Sequence, residues 1–178
     1  MLVPPPIVAL AAGLAQRAVT RRPERPGLGG AVASAAIVAG SVALAATAAR
    51  SFRRHGTTLS PEQPESASVL VATGPHAASR NPMYLGLTGL LLANAVRLRS
   101  WTAVAPLAAF VAYLDRVQIR AEEEALHDRF GAEYDDYRTR VPRWLDARSV
   151  EVLRTSLESR RRGDAGPEAT PGAGSAGR

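Results

Sequence analysis

From residue 28 to residue 49 the chain carries no charge, only Ala, Val, Gly, Ile, Leu and small hydroxyl residues. A helix without a polar face must be deeply buried or lie in lipid. About 20 apolar residues cross a hydrocarbon core of roughly 30 Å. A chain of 178 residues offers little interior in which to hide such a helix. Three other apolar stretches accompany it. Residues 2–15 include Pro4, Pro5 and Pro6; residues 82–96 are broken only by Thr88 and Asn94; residues 101–114 contain Pro106. The third stretch reaches spanning length if Arg97 and Arg99 extend to the interface, and the fourth if it continues through Asp115 to Ile119. The prolines of the first suit an interfacial start, because proline is tolerated in a first helical turn. It lacks a preceding basic region, so no cleaved signal peptide is expected. The expected fold is all-α: a multi-pass membrane helical bundle of about four transmembrane helices. A soluble Ala-rich bundle is the alternative that a mean hydropathy of −0.06 also permits.

Charge is unevenly placed. Residues 1–119 hold 11 Arg against 4 acids, whereas residues 120–178 hold 11 Arg against 12 acids. Basic residues between apolar runs suit anionic lipid headgroups. With 5% aromatic residues there is no basic-aromatic stacking platform, and no nucleic-acid partner is expected. The absence of cysteine removes disulfides, thiolate metal sites and cysteine nucleophiles. No metal site is expected.

Residues 50–81 form a long connection with turn signals at Ser60-Pro61, Gln63-Pro64 and Gly74-Pro75, and a short extended-looking run at Val69-Leu70-Val71. Connections of this length are usually functional. A tight turn at residues 97–100 makes the third and fourth stretches a helical hairpin. The long connection and the C-terminal segment then share one membrane face. After Ile119 the pattern is amphipathic: Leu126, Phe130, Tyr134, Tyr137, Val141 and Leu145 recur at helical spacing. Gly131 should interrupt this helix and Pro142 should end it. Residues 1–148 read as one membrane-embedded domain, and residues 149–178 as a polar, largely disordered tail.

Two segments carry chemistry. In Gly74-Pro75-His76-Ala77-Ala78-Ser79-Arg80-Asn81-Pro82-Met83-Tyr84-Leu85-Gly86, either Ser79 or Asn81 can cap the helix that Pro82 opens. Free backbone N–H groups beside Arg80 make a site for a carboxylate or phosphate. Equally, this is a helix start at a membrane surface with Arg80 facing lipid phosphate. The second segment, Arg120-Ala121-Glu122-Glu123-Glu124, places three adjacent carboxylates on a helix leaving the membrane. With 3.6 residues per turn they cannot share one face, so one or two must point toward the bundle or the long connection. The alternative is a solvated charge run paired with Arg116, Arg120 and Arg129.

Together, "GPHAASRNPMYLG", a hairpin and "EEEALHDRFGAEYDDYRTRVPRWL" resemble the isoprenylcysteine carboxyl methyltransferase and phospholipid methyltransferase group of integral membrane proteins. "GTTLSP", residues 56–61, is similar to its bacterial branch. The resemblance covers about residues 56–145. It implies that Arg80, Asn81, Pro82 and Tyr84, with Gly86 inside the helix, match the motif that binds S-adenosylmethionine. It also implies that Glu122 and Glu123 match the acidic pair lying against that cofactor. Asn81 stands where many members have His, which excludes an imidazole base there; His76 stands where an aromatic is usual. The catalytic residues stay open, with Arg80 a candidate and His76 a weaker one, more readily a structural substitute for a ring.

The implied function is methyl transfer to a lipophilic acceptor, the carboxylate of a prenylcysteine-like or other lipid-like substrate, at the cytoplasmic face of the cell membrane. A carboxylate acceptor is ionised at neutral pH and needs no base; an amine would require His76 or a Glu to serve. Partners are then the lipid-like substrate and membrane lipids. The rival readings are an NADPH-dependent membrane reductase of the sterol-reductase kind and a non-enzymatic membrane scaffold. "GLGG" at residues 27–30 follows an Arg/Pro loop, not a strand, so it does not read as a dinucleotide loop.

Overall fold

The computed structural model describes residues 2–21, 26–54 and 69–164. Among them every regular element is helical, as the patterning requires. Pro5–Val19 forms α1, with proline in its first turn and no side-chain cap. Leu28–Arg54 forms α2 from the uncharged stretch. A single turn, α3 (Pro75–Ala78), precedes α4 (Pro82–Leu98). A 3₁₀ turn at Trp101–Ala103 leads into α5 (Val104–Tyr113), where Pro106 sits in the first turn and breaks no hydrogen bond. The rod continues through a π-helical turn, Leu114–Gln118, into α6 (Ile119–Phe130). Gly131, at φ 51°, turns the chain into α7 (Ala132–Arg140). Extended Val141 and then Pro142 end α7, as the sequence indicates. The segment from Ala147 to Asp164 is a helix, α8, where the sequence suggested a tail from residue 149; residues 165–178 of that tail, and residues 56–61, lie outside the described residues.

One helix among the described residues, Leu28–Arg54, is long and apolar enough to cross a membrane. The sequence suggested about four such helices. The other three candidates are helical but shorter: α1 has 15 residues, α4 has 17, and α5 has 10 before the π turn.

Small residues let α2 and α4 approach closely. Ser34, Ser41 and Ala48, one every two helical turns, form the buried seam of α2. Ser34 Oγ donates to the Ala93 carbonyl at 3.0 Å. A Cβ on Gly86 would lie 3.0 Å from the Ser41 carbonyl oxygen and 3.1 Å from the Ala45 Cβ. Gly86 therefore packs on the α2 seam, where an added Cβ would make its neighbours give by a few tenths of an ångström.

A polar node joins α1 to the α4–α5 hairpin. Gln16, fully buried, donates through Nε2 to the carbonyls of Leu91 at 3.0 Å and Ala103 at 2.9 Å. Its Oε1 accepts from Asn94 Nδ2 at 2.8 Å. Every polar atom of this amide is used, so the buried group carries no unmet desolvation cost. The apolar core beneath is Tyr84, Leu91, Phe110, Leu114 and Ile119, with Val8 and Ala12 of α1 packed against it. These contacts align the start of α1, the end of α2, the start of α4 and the π turn at one end of the bundle. The site assembles there.

Candidate functional site

The segment Ser79-Arg80-Asn81 is held by the stretch that follows α7. The Arg80 backbone N–H donates to the Pro142 carbonyl at 2.9 Å. Ser79 Oγ and Asn81 Nδ2 both donate to the Arg143 carbonyl, at 3.1 and 3.0 Å. From α8, Ser149 Oγ donates to the Ala78 carbonyl at 2.6 Å. Asn81 is the residue before α4, but neither it nor Ser79 caps the helix through its side chain. Ser79 Oγ instead accepts the Asn81 N–H at 3.1 Å. The capping expected from the sequence is replaced by docking onto the C-terminal segment. Pro82 is buried at the helix start, which its missing N–H permits.

The three adjacent carboxylates diverge as helix geometry demands. Glu122 turns into the bundle, where the Tyr84 hydroxyl and Gln118 Nε2 (2.7 Å) both donate to its Oε1. Glu123 turns toward the connection: Arg80 reaches its Oε1 at 3.0 Å and Arg143 Nε reaches the same oxygen at 3.0 Å. Glu124 is exposed. Within the acidic run, Glu123 is thus ion-paired by both Arg80 and Arg143. Arg143 also bridges to Asp115 Oδ1 at 3.1 Å, and the Trp144 indole N–H donates to that oxygen at 2.9 Å. Arg80 further donates to the Tyr134 hydroxyl at 3.3 Å, and the Tyr137 hydroxyl donates to the His76 carbonyl at 2.8 Å. His76 itself is buried and packs edge-on against the Phe52 ring at 4.8 Å, the part of an aromatic residue.

Burial sets the electrostatics. It pushes the Glu122 carboxyl above its ordinary range against the opposing pull of the Tyr84 and Gln118 hydrogen bonds, and Glu123 beside it adds to the rise. Burial likewise raises the phenols of Tyr134 and Tyr137. Arg143 is raised first by its hydrogen bond to Glu123, so it is a permanent cation. The Arg80–Glu123 pair is 12% and 15% exposed at its side chains, close to a buried ion pair, and neither charge can lose its partner cheaply.

Of the residues singled out from sequence, Arg80, Asn81, Pro82, Tyr84, Glu122 and Glu123 converge on this end of the bundle, while Gly86 turns toward α2. Sequence reasoning missed Arg143, Asp115, Gln118 and Trp144. Two signals existed: an arginine directly after the helix-ending Pro142, and three polar residues, Asp115, Arg116 and Gln118, in the apolar-to-acidic transition. Gln118, at the end of the π turn, and Glu122, four residues on, share one helix face. Such turns recur at functional sites.

Beside this network, an open groove of about 460 Å³ runs along α5, lined by Val104, Leu107, Ala108 and Val111 and ending at Arg116 and Trp144. Its apolar wall with a polar end suits an amphiphile.

The family model described as phospholipid methyltransferase matches residues 29–133. An uncharacterized protein of Haemophilus influenzae is 38% identical over 63 residues, which are 35% of this chain and the whole of that protein. No solved structure matches. The family match runs from α2 through the hairpin to the start of α7, covering Arg80, Tyr84, Glu122 and Glu123 though not Arg143, and the chain belongs to the phospholipid methyltransferase family, a family of membrane methyltransferases.

Proposed function

We propose that the protein binds S-adenosylmethionine at the Arg80–Glu123 end of the bundle and methylates a lipophilic acceptor, the carboxylate of a prenylcysteine-like or other lipid-like molecule. The observation that carries this is the joining of the two motif halves. Tyr84 meets Glu122 and Arg80 meets Glu123 across a hairpin, within a methyltransferase family. When bound, the cofactor would supply a methyl group on a sulfonium sulfur. The residues suit it: Arg80 at the start of α4 favours its carboxylate, and the acidic pair favours its cationic groups. A carboxylate acceptor needs only to be aligned and desolvated beside the methyl group. The buried surroundings of Glu122 and the apolar groove along α5 support such an environment.

Membrane embedding is part of the same reading. Ile7, Leu10 and Leu14 on α1, Val32, Val38 and Val42 on α2, and Leu90 and Leu92 on α4 are exposed. Trp101 is 93% exposed at the hairpin, where an aromatic anchor belongs at a membrane interface. So continuous an apolar exterior requires a cover. We take α1, α2, α4 and the rod from Trp101 to Ile119 as four spans, with Glu122, Glu123 and Arg143 beyond them at the cytoplasmic face, where the cofactor is made. The family match argues against the reductase and scaffold readings.

The test is calorimetric titration of S-adenosylmethionine into the protein in lipid nanodiscs, beside Arg80→Ala and Glu122→Ala. Micromolar binding lost in both folded variants supports the reading. Failure of the folded wild type to bind S-adenosylmethionine, with binding of NADPH in its place, returns the reductase; failure with both returns the scaffold.

A further inference from the structure

Gln118 is 1% exposed and closes the π-helical turn before α6. The sense of its amide is fixed by its neighbour, because Nε2 donates to Glu122 Oε1 at 2.7 Å. Turning the amide over would set two acceptor oxygens against each other. The Gln118 Oε1 therefore points elsewhere, and there it is buried with no hydrogen-bond partner. Buried acceptors in that condition are rare in native folds. Beside the neighbouring Glu123, Arg80 Nε is a buried donor in the same condition, although the terminal nitrogen of Arg80 is engaged by Glu123 and Tyr134. One orphaned acceptor and one orphaned donor thus flank the acidic pair. A group carrying a strong donor and a strong acceptor a few bonds apart answers both, and the ammonium and carboxylate of an α-amino acid are such a group.

We propose that Gln118 is a further ligand-contacting residue, whose Oε1 accepts a hydrogen bond from the ammonium of an α-amino-acid group while Arg80 Nε donates to its carboxylate. This rests on the reading of the site as an S-adenosylmethionine pocket and assigns the place of the cofactor's methionine end. Glu122, sharing its Oε1 with Tyr84 and Gln118, adds a carboxyl beside the ammonium position. Gln118 and Glu122 stand four residues apart, about one helical turn, so both side chains share one face.

The experiment titrates two probes into the protein in nanodiscs: S-adenosylhomocysteine, and its deaminated analogue, which lacks only the amine. Wild type should bind the amine-bearing probe about 10- to 100-fold more tightly, the worth of one charge-assisted hydrogen bond. Gln118→Met, which removes this acceptor and leaves Glu122, should shrink that difference several-fold. Gln118→Glu, which keeps an acceptor and loses the donor to Glu122, should retain it. A residue that merely holds Glu122 in place predicts the reverse, with both variants weakening both probes alike. Equal binding of the two probes by wild type overturns the proposal without any variant, so it does not hang on whether Gln118→Met folds. Binding of neither probe by well-folded wild type removes the cofactor reading itself, and this inference with it.

Discussion

Arg143 Nε lies 3.0 Å from Glu123 Oε1, the same oxygen that Arg80 reaches at 3.0 Å from the far side of the hairpin in sequence. One carboxylate therefore joins the start of α4 to the segment that follows α7. Arg143 also ties in Asp115 of the π turn. The guanidinium does this because it offers several donors in a rigid fork, which an ammonium cannot match.

Removing that fork should be felt in both stability and binding. Arg143→Ala is expected to cost about 1–3 kcal/mol, below the figure for fully buried pairs because the Arg143 side chain is 30% exposed. Arg143→Lys should recover only a small part of it. Chemical denaturation in detergent micelles measures the loss. A fully stable Arg143→Ala would mean that the Arg80 backbone, Ser79, Asn81, Ser149 and the Trp144 indole hold the C-terminal segment without it.

The same substitution should act with opposite sign at two glycines. A Cβ on Gly86 meets the Ser41 carbonyl at 3.0 Å, so Gly86→Ala must push α2 and α4 apart and cost about 1–3 kcal/mol. Gly40 lies inside α2 with nothing within 4 Å of its would-be Cβ. Gly40→Ala should stabilise by about 0.5–1 kcal/mol through helix propensity alone. Melting temperatures of the two variants that move in the same direction would contradict the α2–α4 seam.

Glu122 gives a pH dependence with a definite sign. Its carboxyl is raised from the ordinary 4.5 by burial, so the folded state holds this proton more tightly than the unfolded state does. The stabilising contribution is fully present below the ordinary carboxylate range and is lost as pH rises through the raised folded value. Glu122→Gln keeps a neutral group there at every pH. The melting curves of wild type and Glu122→Gln, followed from pH 4 to pH 8, should diverge in favour of the variant as pH rises. Parallel curves would show that Glu122 ionises in the fold without penalty.

Topology is open to a direct test. With four spans the C-terminus shares the face of Arg80 and Glu123, which should be cytoplasmic. A C-terminal fluorescent reporter that folds only in the cytoplasm should be bright, and an exported phosphatase at the same place inactive. The reverse pair would put the site on the other face and remove its access to a cytosolic cofactor. Deleting residues 160–178 should leave activity intact.

Much was written in the chain itself. The uncharged run at residues 28–49 became the long helix α2, because a helix pairs its backbone groups within one segment and so can lie in lipid or core. Gly131 and Pro142 broke the following helices where they stand, since one supplies a positive φ and the other lacks a donor. The stripe of Leu126, Phe130, Tyr134, Tyr137 and Val141 packed together with Leu70 and Ala72, although Leu145 at its end is exposed. Helical period is a local property, and local properties are legible in sequence.

What only the tertiary structure decided is which charges meet. Ion pairing depends on distances between residues far apart in the chain, so Arg143 and Asp115 looked like any other surface charges until folding brought them to Glu123 and to each other. Gly86 stands two residues after Tyr84 in the motif, and one hundred degrees of rotation per residue set it against α2 while Tyr84 faced Glu122. Gln118 and Glu122 meet by ordinary helical spacing, but only packing turned that face toward Tyr84 in the bundle.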